Sequence, residues 1–558
     1  MRMTGGHVAL WAAALCVAVS ATEKPPRRHI FLIVADDLGW NDVDFHGSQQ
    51  IPTPTLSRLA DDGVQLNNYY VQPVCSPTRA TLLTGRHVIH SGIYDPDCGV
   101  GTTNSVPFNF SMLPVPLSKV NYESHAVGKW HLGMFSDRVV PTGKGFASFH
   151  GYYSGAEDYY THDAKGAHDM HRDFGSNLSP DFSLKGNYST FVYTSRAQQI
   201  IKEFAAKHNN NDNDDTSLFM YLAYQAIHSP DEVPSSYMKP FRRTIPNTPN
   251  GVGRHRRTVA GMVACLDEGI GNVTTTLQQV GMLNDSLIIF TTDNGGPAQG
   301  FNQNMASNWP LRGMKRTLWE GGVRAVGFVY GDGLQQTGYV SNGLMHAADW
   351  YPTILTAALE GKQKAKHGRE DESGDSTEFS YPYADWRELM DGSVDPPFIL
   401  GDGVNVWGML SSGEASPRDE VLLEAHPAGQ KDDGNGQAII VGDLKLILEK
   451  GPMWHGPPND LWYASGSNPS LYNHTVDCGS PAPKSGPLPP CMFNLTADPC
   501  EFNNIINDQP DDYARLLDRL KVYQKTAVPK SFHTLPLCDN PSSPLDKPVD
   551  GTWMPVCP

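Results

Sequence analysis

Four apolar runs in this 558-residue chain end in residues that can bind a metal or move a proton. "HIFLIVA" runs into Asp36 and Asp37, and "SLIIFTT" into Asp293 and Asn294. "SHAVG" leads to Lys129 and His131, and "LFMYLAYQAI" leads to His228. Carboxylates and an amide offer only oxygen, which suits calcium or magnesium better than zinc. No histidine-rich cluster or CxxC pair argues for zinc. One Asp pair after a strand is as readily a turn or a helix cap. Two such pairs at two strand ends favour the metal. Arg79, Lys129, His131, His228 and Lys315 add donors for an anion with several oxygens, and imidazoles for proton transfer. Lys315, in "WPLRGMKRTLWEGGVR", could equally be a solvated loop charge, although its glycines and tryptophans suggest an ordered loop. His125, His150 and His426 read as structural.

Cys75 stands in "QPVCSPTRATLLTGRH", at the expected start of a helix. A helix N-terminus and Arg79 one turn on would stabilise a thiolate there. A cysteine-nucleophile hydrolase is one reading, yet such an enzyme has little need of an all-oxygen metal site.

Positioning these groups requires strands that end together. The four runs read as buried strands. "TPTLSRLADDGV", with a capping threonine, "RTVAGMVACLDEGIGNVTTTLQQVG" and "HAADWYPTILTAALEG" read as helices. Apolar strands separated by helices imply an α/β sheet covered on both faces. Ligand sites in such sheets form outside the carboxyl ends of the strands. From about Leu410 the texture changes to a hairpin around Gly442-Asp443, a Pro/Gly-rich stretch and a helix near "DDYARLLDRLKVYQK". "HNNNDNDDTS" and "GKQKAKHGREDESGDSTEFS" read as surface insertions.

A formal net charge of −17 argues against nucleic acid as the natural partner, because phosphate binding needs a basic face. "HVALWAAALCVAVSA" near the N-terminus reads as a secretory signal over residues 1–21. No later run is long enough to span a bilayer. Seven sequons, at Asn109, Asn177, Asn187, Asn272, Asn284, Asn473 and Asn494, fit a glycoprotein. Of nine cysteines, Cys16 leaves with the signal, and Cys265 reads as a buried thiol. With Cys75 also unpaired, Cys98, Cys478, Cys491, Cys500, Cys538 and Cys557 remain for bridges.

The Cys75 stretch resembles the sulfatase signature, Cys-x-Pro-x-Arg followed by Leu-Thr-Gly-Arg. "ADDLGW", "VGKWHLG", "TDNGG" and "LWEGGVR" fall in that family's order. The resemblance implies an alkaline-phosphatase-like α/β sandwich, a large mixed, mostly parallel sheet between helices. It also implies a catalytic domain over 22–410 and a smaller disulfide-bearing α+β domain over 411–558. Cys75 is then converted to formylglycine by the formylglycine-generating enzyme and hydrated to a gem-diol. One Ca2+ per chain is held by Asp36, Asp37, Asp293, Asn294 and residue 75. Lys129 and Lys315 neutralise the sulfate oxygens, and Arg79 and Lys129 hold the diol. One diol hydroxyl attacks sulfur while His228, helped by Lys315, protonates the leaving alcohol. His131 then takes the proton of the second hydroxyl, which restores the carbonyl and releases sulfate from residue 75.

"GYYSGAEDYYTH", "NWPLRGMKRTLWEGGVRAVGFV" and "HAADWYPT" are most similar to the arylsulfatase B branch, the N-acetylgalactosamine-4-sulfatases. The implied substrate is a terminal galactosamine 4-sulfate of chondroitin or dermatan sulfate, met in the lysosome or outside the cell. The segment near Glu370 and the cysteine-rich tail depart from that branch. Other readings are a sulfatase of another polysaccharide, a phosphodiester or phosphonate hydrolase, and an inactive secreted calcium- and glycan-binding protein.

Overall fold

Strand β1 (His29–Ala35) is central because both its faces are apolar. Ile30, Leu32 and Val34 enter one core, and Phe31, Ile33 and Ala35 enter the other. Each of these side chains except Ala35 contributes about 1.5–3 kcal/mol by leaving water. The computed structural model describes residues 27–555 except 49, 210–213, 248–251, 299–301, 368–400, 428–435, 449–489 and 531–546. The expected signal segment, most of the second insertion, and Cys478, Cys538 and Cys557 lie outside the described residues.

The other strands of the main sheet are β2 (Val64–Leu66), β3 (Tyr122–Lys129), β4 (Ser148–Tyr152), β5 (Met170–Phe174), β6 (Ser217–Ala223), β7 (Ser286–Thr292), β8 (Gly327–Gly331) and β9 (Tyr339–Ser341). Their order is β9-β2-β8-β7-β1-β6-β3-β4-β5. The central run β7-β1-β6-β3-β4 is parallel, and antiparallel pairs flank it. Helices cover both faces, as the alternation of runs predicts. Leu82 and Leu83 of α2 (Cys75–Thr84) and Ile354 and Leu355 of α5 (Trp350–His367) pack on one face. α1 (Pro54–Asp62), α3 (Ser189–His208) and α4 (Val252–Gln279) cover the other through Leu59, Phe204 and Leu266.

One local expectation is corrected. Thr53 precedes α1, but its hydroxyl donates to Asp44 Oδ1 at 2.7 Å and makes no cap. Asp267 of α4 caps α1 instead, accepting the N–H groups of Thr55 (3.2 Å) and Leu56 (2.8 Å). Sequence neighbours could not reveal that cap, because it arrives from another helix.

A second, antiparallel sheet follows, in the order β10 (Glu420–Glu424), β11 (Gln437–Val441), β12 (Leu444–Leu448), β13 (Cys491–Asn494). The expected hairpin turn lies at Gly442, with φ of 58°. One face holds Leu422, Ile439 and Leu446 against Leu516 and Leu520 of α6 (Pro510–Gln524). The opposite face holds Leu423, Ile440 and Ile447 against Leu318, Trp319 and Val323. The small sheet therefore sits on the segment that carries Lys315.

A buried charge cluster pins that contact. Lys445 Nζ lies 2.8 Å from both Glu320 Oε1 and Glu501 Oε1, and all three side chains are fully buried. Glu501 Oε2 also accepts the Glu320 N–H at 2.8 Å. Arg312 donates to the Glu501 carbonyl at 2.6 Å and lies over the Trp319 ring at 3.9 Å. Among the cysteines, Cys265 is a buried thiol as expected, and Cys500 is in a disulfide. Cys98, expected in a bridge, is a buried thiol beside Ser76, and burial pushes it up to about 12. Among the described residues, no helix is long and apolar enough to cross a membrane.

Candidate active site

β1 and β7 run parallel in register, Ala35 beside Thr292, so Asp36-Asp37 and Asp293-Asn294 leave the sheet side by side. Asp37 turns into the left-handed region, φ 61°, and its N–H donates to Asp293 Oδ1 at 3.2 Å. One ligand atom each from Asp36, Asp37, Asp293 and Cys75 lie within 4.8 Å of one another, and all four residues are buried. Asn294 donates its amide to Asp37 Oδ1 at 2.7 Å. Its Oδ1 is buried without a hydrogen-bond partner among the described residues. An orphaned buried carbonyl beside three carboxylates is a donor set fitted to a hard divalent cation.

Three side chains balance the carboxylates. Lys129, ending β3, lies 2.5 Å from Asp36 Oδ2, and Lys315 lies 2.7 Å from Asp37 Oδ1. Arg79 places Nε and Nη2 on Asp293 Oδ2, at 3.0 and 2.7 Å, with Nη2 3.4 Å from Asp36. Burial pushes the Asp36 carboxyl up, but Lys129, His228 and Arg79 outweigh it and hold it below the usual range. Burial opposes the Lys315 charge too, yet Asp37 keeps that ammonium above its ordinary value.

Cys75 opens α2, as its sequence context predicts, with Sγ 3.6 Å from Asp36 Oδ1. The expected stabilised thiolate is corrected. Burial first, and Asp293 next, push the thiol well above its ordinary value, outweighing Lys129 and Lys315. Desolvation disfavours the ion more than one helix terminus can compensate. The residue is therefore poorly suited to act as a thiolate.

The two imidazoles face the same cavity, of about 600 Å³, which Cys75 and Lys315 also line. His131, φ 55°, pairs Nε2 with the Pro96 carbonyl at 3.1 Å, while Nδ1 has no partner among the described residues. Burial, then Lys129 and Arg79, hold it well below its ordinary value, so the ring is neutral with a bare nitrogen. His228 pairs Nδ1 with the Ser229 carbonyl at 2.6 Å, and its Nε2 lies 2.8 Å from Asn302 Nδ2. Burial and Lys315 lower its pKa as well.

All the residues singled out in the sequence, Asp36, Asp37, Cys75, Arg79, Lys129, His131, His228, Asp293, Asn294 and Lys315, thus meet at one end of the sheet. His125, His150 and His426 pair with Ser148, Asp181 and the Gly436 carbonyl respectively. None of the three lines the cavity. Sequence reasoning missed Asn302, which contacts His228, and Gly155, where a Cβ would stand 2.6 Å from His131 Cε1 and Nε2. Neither carries a local signal, since each contact joins segments distant in sequence.

A family model described as Sulfatase matches residues 28–360. The chain belongs to the sulfatase family. It is 36% identical over 555 residues to Arylsulfatase J of Mus musculus, covering 96% of this chain and 81% of the relative. It is also similar to N-acetylgalactosamine-6-sulfatase of Homo sapiens, at 30% identity over 61% of this chain and 64% of the relative. Among solved structures, Ps i-CgsB in complex with k-i-k-neocarrahexaose aligns with a TM-score of 0.66 at 23% identity, covering 92% of this chain and 95% of that one. The Agrobacterium radiobacter phosphonate monoester hydrolase aligns with a TM-score of 0.50 at 16% identity. This sulfatase is accordingly a sulfuric ester hydrolase, with the fold that the sequence led us to expect.

Proposed function

We propose that this sulfatase removes sulfate from a sulfated saccharide through a formylglycine made from Cys75. The observation that carries the reading is that residue 75, Lys315 and two imidazoles line one cavity, while the oxygen donor cluster lies beside residue 75 with Lys129 and Arg79 paired to its carboxylates. A buried neutral thiol is a weak nucleophile. A hydrated aldehyde at residue 75 would supply one hydroxyl to attack sulfur and a second whose deprotonation releases sulfate. A calcium ion held by Asp36, Asp37, Asp293 and Asn294, next to residue 75, would supply positive charge toward the sulfate oxygens.

The chain's own residues fill the remaining roles. Lys129, Lys315 and Arg79 hold residue 75 and the sulfate in a water-poor pocket, where charge is worth most. His131 is the base, because its bare Nδ1 is buried and neutral. His228 is the acid toward the leaving oxygen. To donate, its Nε2 must carry a proton besides the Nδ1 proton that the Ser229 carbonyl accepts, so the donating form is the imidazolium and the Asn302 amide must present its oxygen there instead of its nitrogen.

The proposed substrate is N-acetylgalactosamine 4-sulfate of chondroitin or dermatan sulfate, supported by the segments similar to the 4-sulfatase branch. The similarity to N-acetylgalactosamine-6-sulfatase favours a second reading, the 6-sulfate. Secretory-pathway delivery, to the lysosome or outside the cell, accompanies either. The deciding experiment is the mass of the residue-75 peptide from cells that convert other sulfatases, followed by turnover of 4- and 6-sulfated saccharides and a matched phosphonate ester. A reactive aldehyde with turnover of the 4-sulfate is expected. An unmodified thiol would sink the mechanism, and preference for the phosphonate would sink the substrate class.

A further inference from the structure

The cavity is lined by two basic side chains, Lys315 and Lys165. Lys315 is committed to Asp37, 2.7 Å away. Lys165 is exposed, and its Nζ donates to the Val100 carbonyl at 3.3 Å. None of the ion pairs among the described residues involves it. We propose that Lys165 is a specificity residue, binding a second anionic group, carboxylate or sulfate, on the sugar next to the sulfated one.

The position is built. Lys165 and Gly166 form the two-residue turn of a ribbon, Asp163–Ala164 against Ala167–His168, with φ of 45° and 87°. Two positive φ values define a turn that favours glycine or asparagine, so lysine stands there against backbone preference. The ribbon is tied down from both sides. Trp553 Nε1 donates to the Ala164 carbonyl at 2.6 Å, and the Trp553 N–H to the His168 carbonyl at 2.9 Å. The Asp158 N–H donates to the Asp163 carbonyl at 3.0 Å. An ammonium on a braced turn at a cavity mouth is positioned before the ligand arrives.

The acidic residues lining the same wall are already engaged. Asp163 pairs with Lys185 at 3.2 Å. Asp158 Oδ1 accepts the N–H groups of Tyr160 and Thr161, at 3.0 and 2.7 Å. Glu157 is fully buried and bonded to His162, Ser189 and Tyr193. The rest of the rim is small or apolar, with Pro96, Gly99, Val100, Ala156 and Pro230. On a protein of net charge −17, a polyanion is repelled except where a local cation reverses the field. Lys165 supplies a positive charge on that wall, outside the cluster that takes the scissile sulfate.

The inference rests on the saccharide reading above, and the test separates the two. Wild type, Lys165→Met and Lys165→Arg are assayed on 4-nitrophenyl sulfate and on a sulfated disaccharide in three forms. One form carries a free uronate, one has that carboxyl reduced to the alcohol, and one is reduced but bears a second sulfate. Expected is unchanged kcat/KM on the aryl sulfate for every variant. Wild type should prefer an anion-bearing disaccharide about fivefold, a partly solvated ion pair, and which form gains identifies the anion. Lys165→Met should erase the preference through KM, and Lys165→Arg should restore it. Equal losses on all substrates, or a preference that survives Lys165→Met, would overturn the assignment. Aryl sulfate turnover with none on any disaccharide would overturn the saccharide reading itself, and the subsite with it.

Discussion

Replacing Lys445 by methionine keeps the volume of the side chain and removes one buried charge. Its ammonium lies 2.8 Å from carboxylate oxygens of both Glu320 and Glu501, in a cluster with no solvent exposure. Arg324 Nη1 is 3.4 Å from Glu320 Oε2, and Arg312 reaches the backbone carbonyl of Glu501. Breaking a buried ion pair from one side costs about 3–5 kcal/mol, because the orphaned charge stays desolvated. The cost depends on pH. Burial first raises Glu501 from 4.5 to about 7 in the folded protein. A carboxyl raised on folding binds its proton more tightly in the native state, so its stabilising contribution is whole below pH 4.5 and fades as pH rises toward 7. At about 1.4 kcal/mol per unit, that window is worth about 3 kcal/mol.

Without Lys445 the folded Glu501 value moves higher still, and the loss continues past pH 7. Urea unfolding of wild type and Lys445→Met at pH 5 and pH 8 measures this. A small loss is expected at pH 5, where Glu501 is protonated in either protein, growing by about 1.4 kcal/mol at pH 8, one unit above the folded Glu501 value of about 7. Adding Glu501→Gln to Lys445→Met should remove most of the pH dependence. An equal loss at both pH values, or less than about 1 kcal/mol at pH 8, would refute the charge argument.

Three further outcomes are expected. Gly155→Ala places a Cβ 2.6 Å from the His131 ring, so kcat should fall about 100-fold while the unfolding midpoint barely moves. Wild-type kcat in that variant would show that His131 needs no fixed position. Lys315→Met should lower kcat by about 100- to 1000-fold with little change in KM, measured on an aryl sulfate, as for loss of a charge used mainly in the transition state. Dialysis against a chelator should abolish turnover, with recovery on adding calcium and not zinc, because the donor set is oxygen alone. Recovery with zinc would contradict the assignment of the metal.

The sequence alone determined which side chains are available and which strands carry them. Periodicity decides whether a run is buried on one face or two, and β1, apolar at every position, had to be interior. Residues directly after such strands must emerge at one end of a parallel sheet, so Asp36, Lys129 and Asp293 were legible as one site. Only the tertiary structure decided their electrical state. Cys75 looked activated from its neighbours along the chain, but burial and Asp293 reverse that, and both are facts of packing. The same holds for contacts between distant segments: Asp267 capping α1, Asn302 on His228, and Lys445 of the small sheet locking the base of the Lys315 segment. Local sequence encodes conformation over a few residues. Desolvation and long-range pairing depend on what the rest of the chain brings alongside.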